Sequence, residues 1–84
     1  MKFVLYTAEN CNVCTALKPK IEKICNDKNI DLEYVDTVKE VERSAQNMVF
    51  TVPVLVFEHD GKEYQRWARL FSINDINSYL ERIL

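Results

Sequence analysis

The sequence predicts an α/β domain in the order β-α-β-α-β-β-α, a mixed four-stranded sheet with helices on both faces. Two patterns and one composition fact predict it. Runs of β-favouring apolar residues alternate along the chain with segments whose apolar residues recur at helical spacing. The only glycine, Gly61, sits in a short polar stretch between two of the β-favouring runs, where a hairpin would turn. The chain has 84 residues, of which 48% are hydrophobic, and no linker, repeat or composition break, so residues 1–84 read as a single domain with one modest core.

The elements follow in order. Phe3 to Tyr6 is a continuous β-favouring run, as expected for a strand covered on both faces. Val13, Leu17, Ile21, Ile24 and Cys25 then recur at helical spacing, with Lys18, Lys20, Glu22 and Lys23 between them. "IDLEYVD" reads as a short strand, and Thr37 with Glu40 reads as a capping box opening a helix whose inward face carries Val38, Val41, Ala45 and Met48. "VPVLVF" is the third strand, "EHDGK" the turn and "EYQRWA" the fourth strand. Ser72 with Asp75 forms a second capping box, Phe71 and Ile76 a hydrophobic staple, and Ile73, Ile76, Leu80 and Ile83 line the face of a last helix. A right-handed crossover makes the first two strands parallel neighbours, and the hairpin adds an antiparallel pair.

Charge narrows the function. Eleven Lys and Arg are interspersed with thirteen Asp and Glu for a net charge of −2, which offers no attraction to nucleic acid or anionic lipid. Apolar runs are too short for a signal peptide or for the roughly 20 residues that span a bilayer. A soluble protein with no membrane partner is therefore expected. Three cysteines, two of them crowded together, do not resemble the even set of a disulfide-stapled secreted domain, so a cytoplasmic location is expected.

The chemistry concentrates in "YTAENCNVCTALKP", residues 6 to 19, where Cys11 and Cys14 stand three residues apart between the first strand and the first helix. A cysteine at a helix start faces unpaired N–H groups and the positive end of the helix dipole, which favour thiolate over thiol. Cys11 is thus the expected nucleophile. Cys14, one turn on, can close a disulfide within the allowed Cα separation of about 4.4 to 6.8 Å, and is the expected resolving thiol. Other readings of the pair are half of a metal site, for which Cys25 and His59 are scattered remaining ligands, or two small core residues. Cys25 lies on the apolar stripe as a buried, inert thiol, and His59 lies in a turn where solvation is the default. Trp67, with Tyr64 nearby, reads as cover for the sheet.

These residues resemble the thioredoxin superfamily, in the compact form of glutaredoxins and the smallest thioredoxins, over essentially the whole chain. Cys11-Asn12-Val13-Cys14 matches the redox motif, Pro19 the helix-kinking proline, and Thr51-Val52-Pro53 the cis-proline segment opening the third strand. The resemblance implies a thioredoxin fold and a protein-disulfide reductase whose only redox group is the Cys11–Cys14 dithiol, with no cofactor and no metal. It implies disulfide-containing protein substrates, a monomer, and Thr51, Val52 and Pro53 as the substrate-binding segment, Val52 offering its backbone groups to an extended substrate. A non-enzymatic binding module with structural or metal-binding cysteines is the alternative.

The departures are specific. Asn10 stands where thioredoxins have tryptophan, Asn12-Val13 where they have Gly-Pro, Leu5 where they carry a buried acid, and Arg69 where they have a glycine that admits substrate backbone. Either water or another group such as Glu9 must then assist proton transfer, or resolution is slow. The Gly-Gly pair with which glutaredoxins help hold glutathione is missing, which favours a thioredoxin-reductase-type flavoenzyme over glutathione as reductant.

Overall fold

A computed structural model describes all residues, 1–84. Its elements are β1 (Lys2–Thr7), α1 (Asn12–Lys28), β2 (Asp31–Asp36), α2 (Val41–Gln46), β3 (Val54–His59), β4 (Lys62–Ala68) and α3 (Ile73–Ile83). The four strands form one sheet in the order β2-β1-β3-β4. β1 pairs parallel with β2, Thr7 opposite Asp36, and antiparallel with β3, Lys2 opposite Glu58. β3 and β4 form the hairpin, turned by Asp60 and Gly61 at φ 53° and 77°. Two consecutive positive φ values fit the tight turn that matches strand twist, which is why the glycine is there.

β1 is central and buried from Phe3 to Thr7, so its side chains feed two cores. Phe3 and Leu5, with Leu55 and Phe57 of β3, face α1 and α3 in a cluster of eleven buried residues that includes Leu17, Ile21, Ile24, Cys25, Ile76 and Leu80. Val4 and Tyr6, with Val54 and Val56, face the other way, toward α2, in a cluster of six completed by Val35 and Val49.

The helix ends show local chemistry at work. Ser72 Oγ accepts from Asp75 N and Asp75 Oδ2 accepts from Ser72 N, the reciprocal capping box read from the sequence. Phe71 packs against the cluster that contains Ile76.

Four expectations need correction. The buried stripe of α1 begins at Cys14, which is 1% exposed, not at Val13, which is 50% exposed. Residues 14, 17, 21, 24 and 25 satisfy the helical period as well as the set beginning at 13. The Thr37–Glu40 capping box does not form. α2 starts later, with Glu40 as an N-cap whose side chain makes no capping bond, and it is Asp36 Oδ1 that accepts from Val38 N (2.9 Å) and Lys39 N (3.1 Å) to make a turn after β2. The face of α2 is also different: Val38, Val41, Ala45 and Met48 are exposed, while Ser44 and Val49 are buried. Finally, β3 begins at Val54 and not Val52, because Pro53 has no N–H to give a ladder.

Candidate active site

Cys11 lies four residues beyond the carboxyl end of β1, the edge of an open α/β sheet where sites form. Asn10, at φ 34°, turns the chain into α1; asparagine tolerates this region better than most residues. Cys11 is the N-cap of α1, and its Sγ accepts a hydrogen bond from Cys14 N at 3.2 Å. Its carbonyl receives both the Thr15 N–H and the Thr15 hydroxyl, each at 3.1 Å. The first turn of α1 contains no acid, so nothing in it opposes negative charge on Sγ.

Cys11 and Cys14 form a disulfide with Cα atoms 5.2 Å apart. The two sulfurs are not equivalent. Cys11 is half-buried at the rim, whereas Cys14 is buried under the helix. Cys25, the remaining thiol, is buried in the α1 core, and desolvation, followed by nearby Asp31 and Glu22, pushes it up to about 11. A thiol held so high is protonated and unreactive at neutral pH.

Val52 is the residue that the fold brings to Cys11. The two line one open cavity of about 460 Å³ with Ala8, Glu9, Asn10, Asp36, Val38 and Lys39. Val52 also lines a second groove of about 320 Å³ with Thr51, Ser44, Val49 and Phe50, so the two depressions meet there. The Val52–Pro53 peptide is cis. Neither the N–H nor the carbonyl of Val52 is bonded within the protein. Pro53 is buried, and its carbonyl accepts from Arg69 N at 2.8 Å, joining this segment to the end of β4. Arg69 adopts φ 66°, a left-handed conformation that explains why a glycine would suit this position. Thr51 is exposed on the groove away from Cys11.

Other sequence candidates lie elsewhere. Trp67 packs on Phe3 and Tyr79, with ring centroids 6.3 and 5.5 Å apart, and covers the sheet. His59 is at the opposite end of the sheet, its Nε2 3.4 Å from the Asp60 carboxylate. Lys18 Nζ sits 5.3 Å from the Tyr34 ring centroid and not over Cys11. Glu9 is exposed, 3.7 Å from Lys39. Leu5, where thioredoxins carry an acid, is fully buried in the large core. No group of three or more His, Cys, Asp or Glu is placed to hold a metal ion.

Asp36 was not anticipated. It lines the Cys11 cavity, and its bonds from the Lys39 and Val38 N–H groups hold its carboxyl below the usual range. The signal was available: an aspartate ending the strand beside β1 lies at the same sheet edge as Cys11, and Asp-Thr-Val-Lys is a turn sequence.

Comparison with known proteins supplies the last evidence. The family model described as Thioredoxin matches residues 1–82. A thioredoxin-like protein, YdfQ of Bacillus subtilis (strain 168), is 30% identical over 82 residues, which cover 96% of this chain and 73% of that protein. Thioredoxin 1 from Thermosipho africanus TCF52B superposes with a TM-score of 0.87 at 38% identity, covering 99% of this chain and 98% of that one. Fasciola hepatica thioredoxin superposes with a TM-score of 0.85 at 26% identity, covering 96% and 78%. With its CxxC disulfide at the start of α1, the chain belongs to the thioredoxin family of thiol–disulfide oxidoreductases.

Proposed function

We propose that the protein reduces disulfides in other proteins, with Cys11 as the attacking and Cys14 as the resolving thiol. The observation that carries the assignment is the difference in access: a substrate sulfur can approach Cys11 at the rim, but not Cys14, which is 1% exposed. In the reduced protein, the Cys14 N–H that reaches Cys11 Sγ stabilises the Cys11 thiolate. That thiolate attacks one sulfur of a substrate disulfide; the S–S bond breaks, and the other substrate sulfur leaves and takes a proton. Cys14, deprotonated by water or a rim carboxylate, attacks Cys11 Sγ, releasing the second substrate thiol and leaving the Cys11–Cys14 disulfide. Two electrons and two protons must then come from an external donor. A thioredoxin-reductase-type flavoenzyme fits better than glutathione, because Leu70-Phe71, and no Gly-Gly pair, precede α3.

Val52 supports the protein-substrate reading. Its free N–H and carbonyl, beside the Cys11 cavity, can pair with an extended substrate as one added strand would, with Thr51 and Pro53 flanking it. The odd cysteine, Cys25, is unpaired and fits a reducing cytoplasm.

Trapping tests the assignment. Cys14→Ser leaves the attacking thiol but removes the one that releases it, so mixed disulfides with cellular proteins accumulate on non-reducing gels. Cys11→Ser traps almost none. Equal trapping by both variants, or trapping that needs Cys25, overturns the division of roles. Insulin reduction driven by glutathione with glutathione reductase, and not by a thioredoxin reductase, overturns the choice of donor.

A further inference from the structure

We propose that Arg66 is a positioning residue for the reaction: by tying the carbonyls at the end of α2 to β4, it sets the path of the segment that presents Val52 beside Cys11. The inference rests on the reading of Val52 as the substrate-pairing residue. It starts from a weakness in the fold. α2 has only six residues and buries one of them, Ser44, whose hydroxyl has no hydrogen-bond partner. Little apolar burial therefore holds the helix, and the chain leaves it through Met48, a non-glycine residue at φ 57° with its side chain exposed. Phe50, Thr51 and Val52 give no N–H to any backbone carbonyl. On the route to Val52 only Val49 is buried in the core, and no backbone ladder follows it.

Arg66 supplies a polar anchor just before Val49. It pairs with Val56 across the hairpin, on the sheet face that carries α2. Its Nη2 donates to the Asn47 carbonyl at 2.8 Å and its Nη1 to the Met48 carbonyl at 3.2 Å, groups 19 and 18 residues away in sequence. Nε and Nη2 also donate to the two oxygens of Glu63 at 2.8 and 2.7 Å, which fixes the plane of the guanidinium. Asn47 is the C-cap of α2 and Met48 follows it, and the planar guanidinium fork takes both of their carbonyls at once. Lysine has no such fork.

The test compares Arg66→Met, Arg66→Lys and the unmodified protein. Amide exchange at Met48 and Val49, whose N–H groups bond to Ala45 O and Ser44 O, reports the segment directly. In Arg66→Met it rises at least about tenfold, while Ile21 and Ile24 of α1 change by less than about twofold. The kcat/KM for insulin falls about five- to twentyfold, chiefly through KM, while the rate of Cys11 alkylation by iodoacetamide in the reduced protein stays within about twofold. Arg66→Lys lies between. Unchanged exchange at Met48 and Val49 overturns the proposal, as does insulin kinetics that stay normal once protection is lost, or a parallel fall in insulin turnover and alkylation. If the unmodified protein reduces no insulin while its Cys11 still alkylates, the reductase reading fails, and the exchange data alone decide whether Arg66 sets this segment.

Discussion

The two faces of the sheet are built by different means. On one, α1 and α3 press long apolar stripes onto Phe3, Leu5, Leu55 and Phe57, making the cluster of eleven buried residues. On the other, α2 lies over a cluster of six and is held largely by polar clamps. Arg43 of α2 donates to both oxygens of Glu33 on β2 at 2.5 and 3.0 Å, Lys2 Nζ lies 2.7 Å from Glu33, and Arg66 bonds to the carbonyls at the helix end. The division coincides with the chemistry. The disulfide rides on α1, fixed by burial; Val52 rides on the segment after α2, fixed by hydrogen bonds. Burial is non-directional and tolerant of small shifts, whereas a fork of hydrogen bonds specifies position. A substrate platform needs the second kind of support more than the first.

The largest effect should separate the faces by burial. Ile21→Ala, at the fully buried centre of the α1 stripe, should cost about 2–5 kcal/mol of stability. Val41→Ala, on the α2 surface assigned inward by sequence pattern but 60% exposed, should stay within about 0.5 kcal/mol. Denaturant unfolding of the two variants measures both, and equal costs would mean that α2 is packed as tightly as α1.

The same contrast explains what was legible in the sequence. Elements on the apolar face announce themselves locally: the period of Leu17, Ile21 and Ile24, the Ser72–Asp75 box and the placement of Cys11 all involve residues within a few positions of each other. The element order and the mixed sheet follow from the same patterns. α2 was misread because six residues are too few for periodicity to fix a face, and because its anchors are distant in sequence: ten residues from Glu33 to Arg43, and 18 or 19 from Arg66 to the carbonyls it binds. An exposed-looking charge pattern on β4 gives no hint of a carbonyl partner. At the site, Cys11, Cys14 and Val52 lie where motif spacing puts them, whereas Asp36 at the rim is reached only by combining the parallel β1–β2 pairing with the turn that follows β2.

A middle-sized effect should appear on the polar face and depend on pH. The hydrogen bond from Arg43, and then that from Lys2, lowers the Glu33 carboxyl from an ordinary 4.5 to about 2. A depressed carboxylate stabilises the fold fully above its unfolded value, and that contribution is lost as pH falls from about 4.5 toward 2. Because the side chain remains 33% exposed, solvent screening reduces the effect to about 1 kcal/mol. Glu33→Gln should therefore be about 1 kcal/mol less stable at pH 7, and the gap should close as pH drops through that window. A gap that persists unchanged to pH 2 would assign the loss to packing and not to the ion pair. On the apolar face, Ile21→Ala should show no such closure.

The smallest effect lies at Arg69, just beyond β4, whose N–H bonds to the Pro53 carbonyl. Its left-handed backbone costs a non-glycine residue about 1–2 kcal/mol, whereas glycine there adds about 0.5–1 kcal/mol of lost chain entropy. The two terms nearly cancel, so Arg69→Gly should change stability by less than about 1 kcal/mol, in the stabilising direction. Function should change more than stability does. Removing an exposed cationic side chain beside the Val52 segment lets a substrate backbone approach and removes a screened charge, so insulin reduction should shift by about twofold and become less sensitive to salt. Parallel unfolding and kinetic measurements across a salt series separate the two terms. If Arg69→Gly loses stability, Arg69 belongs with Arg66 among the clamps; if its salt dependence matches that of the parent, the arginine lies outside the path of the substrate.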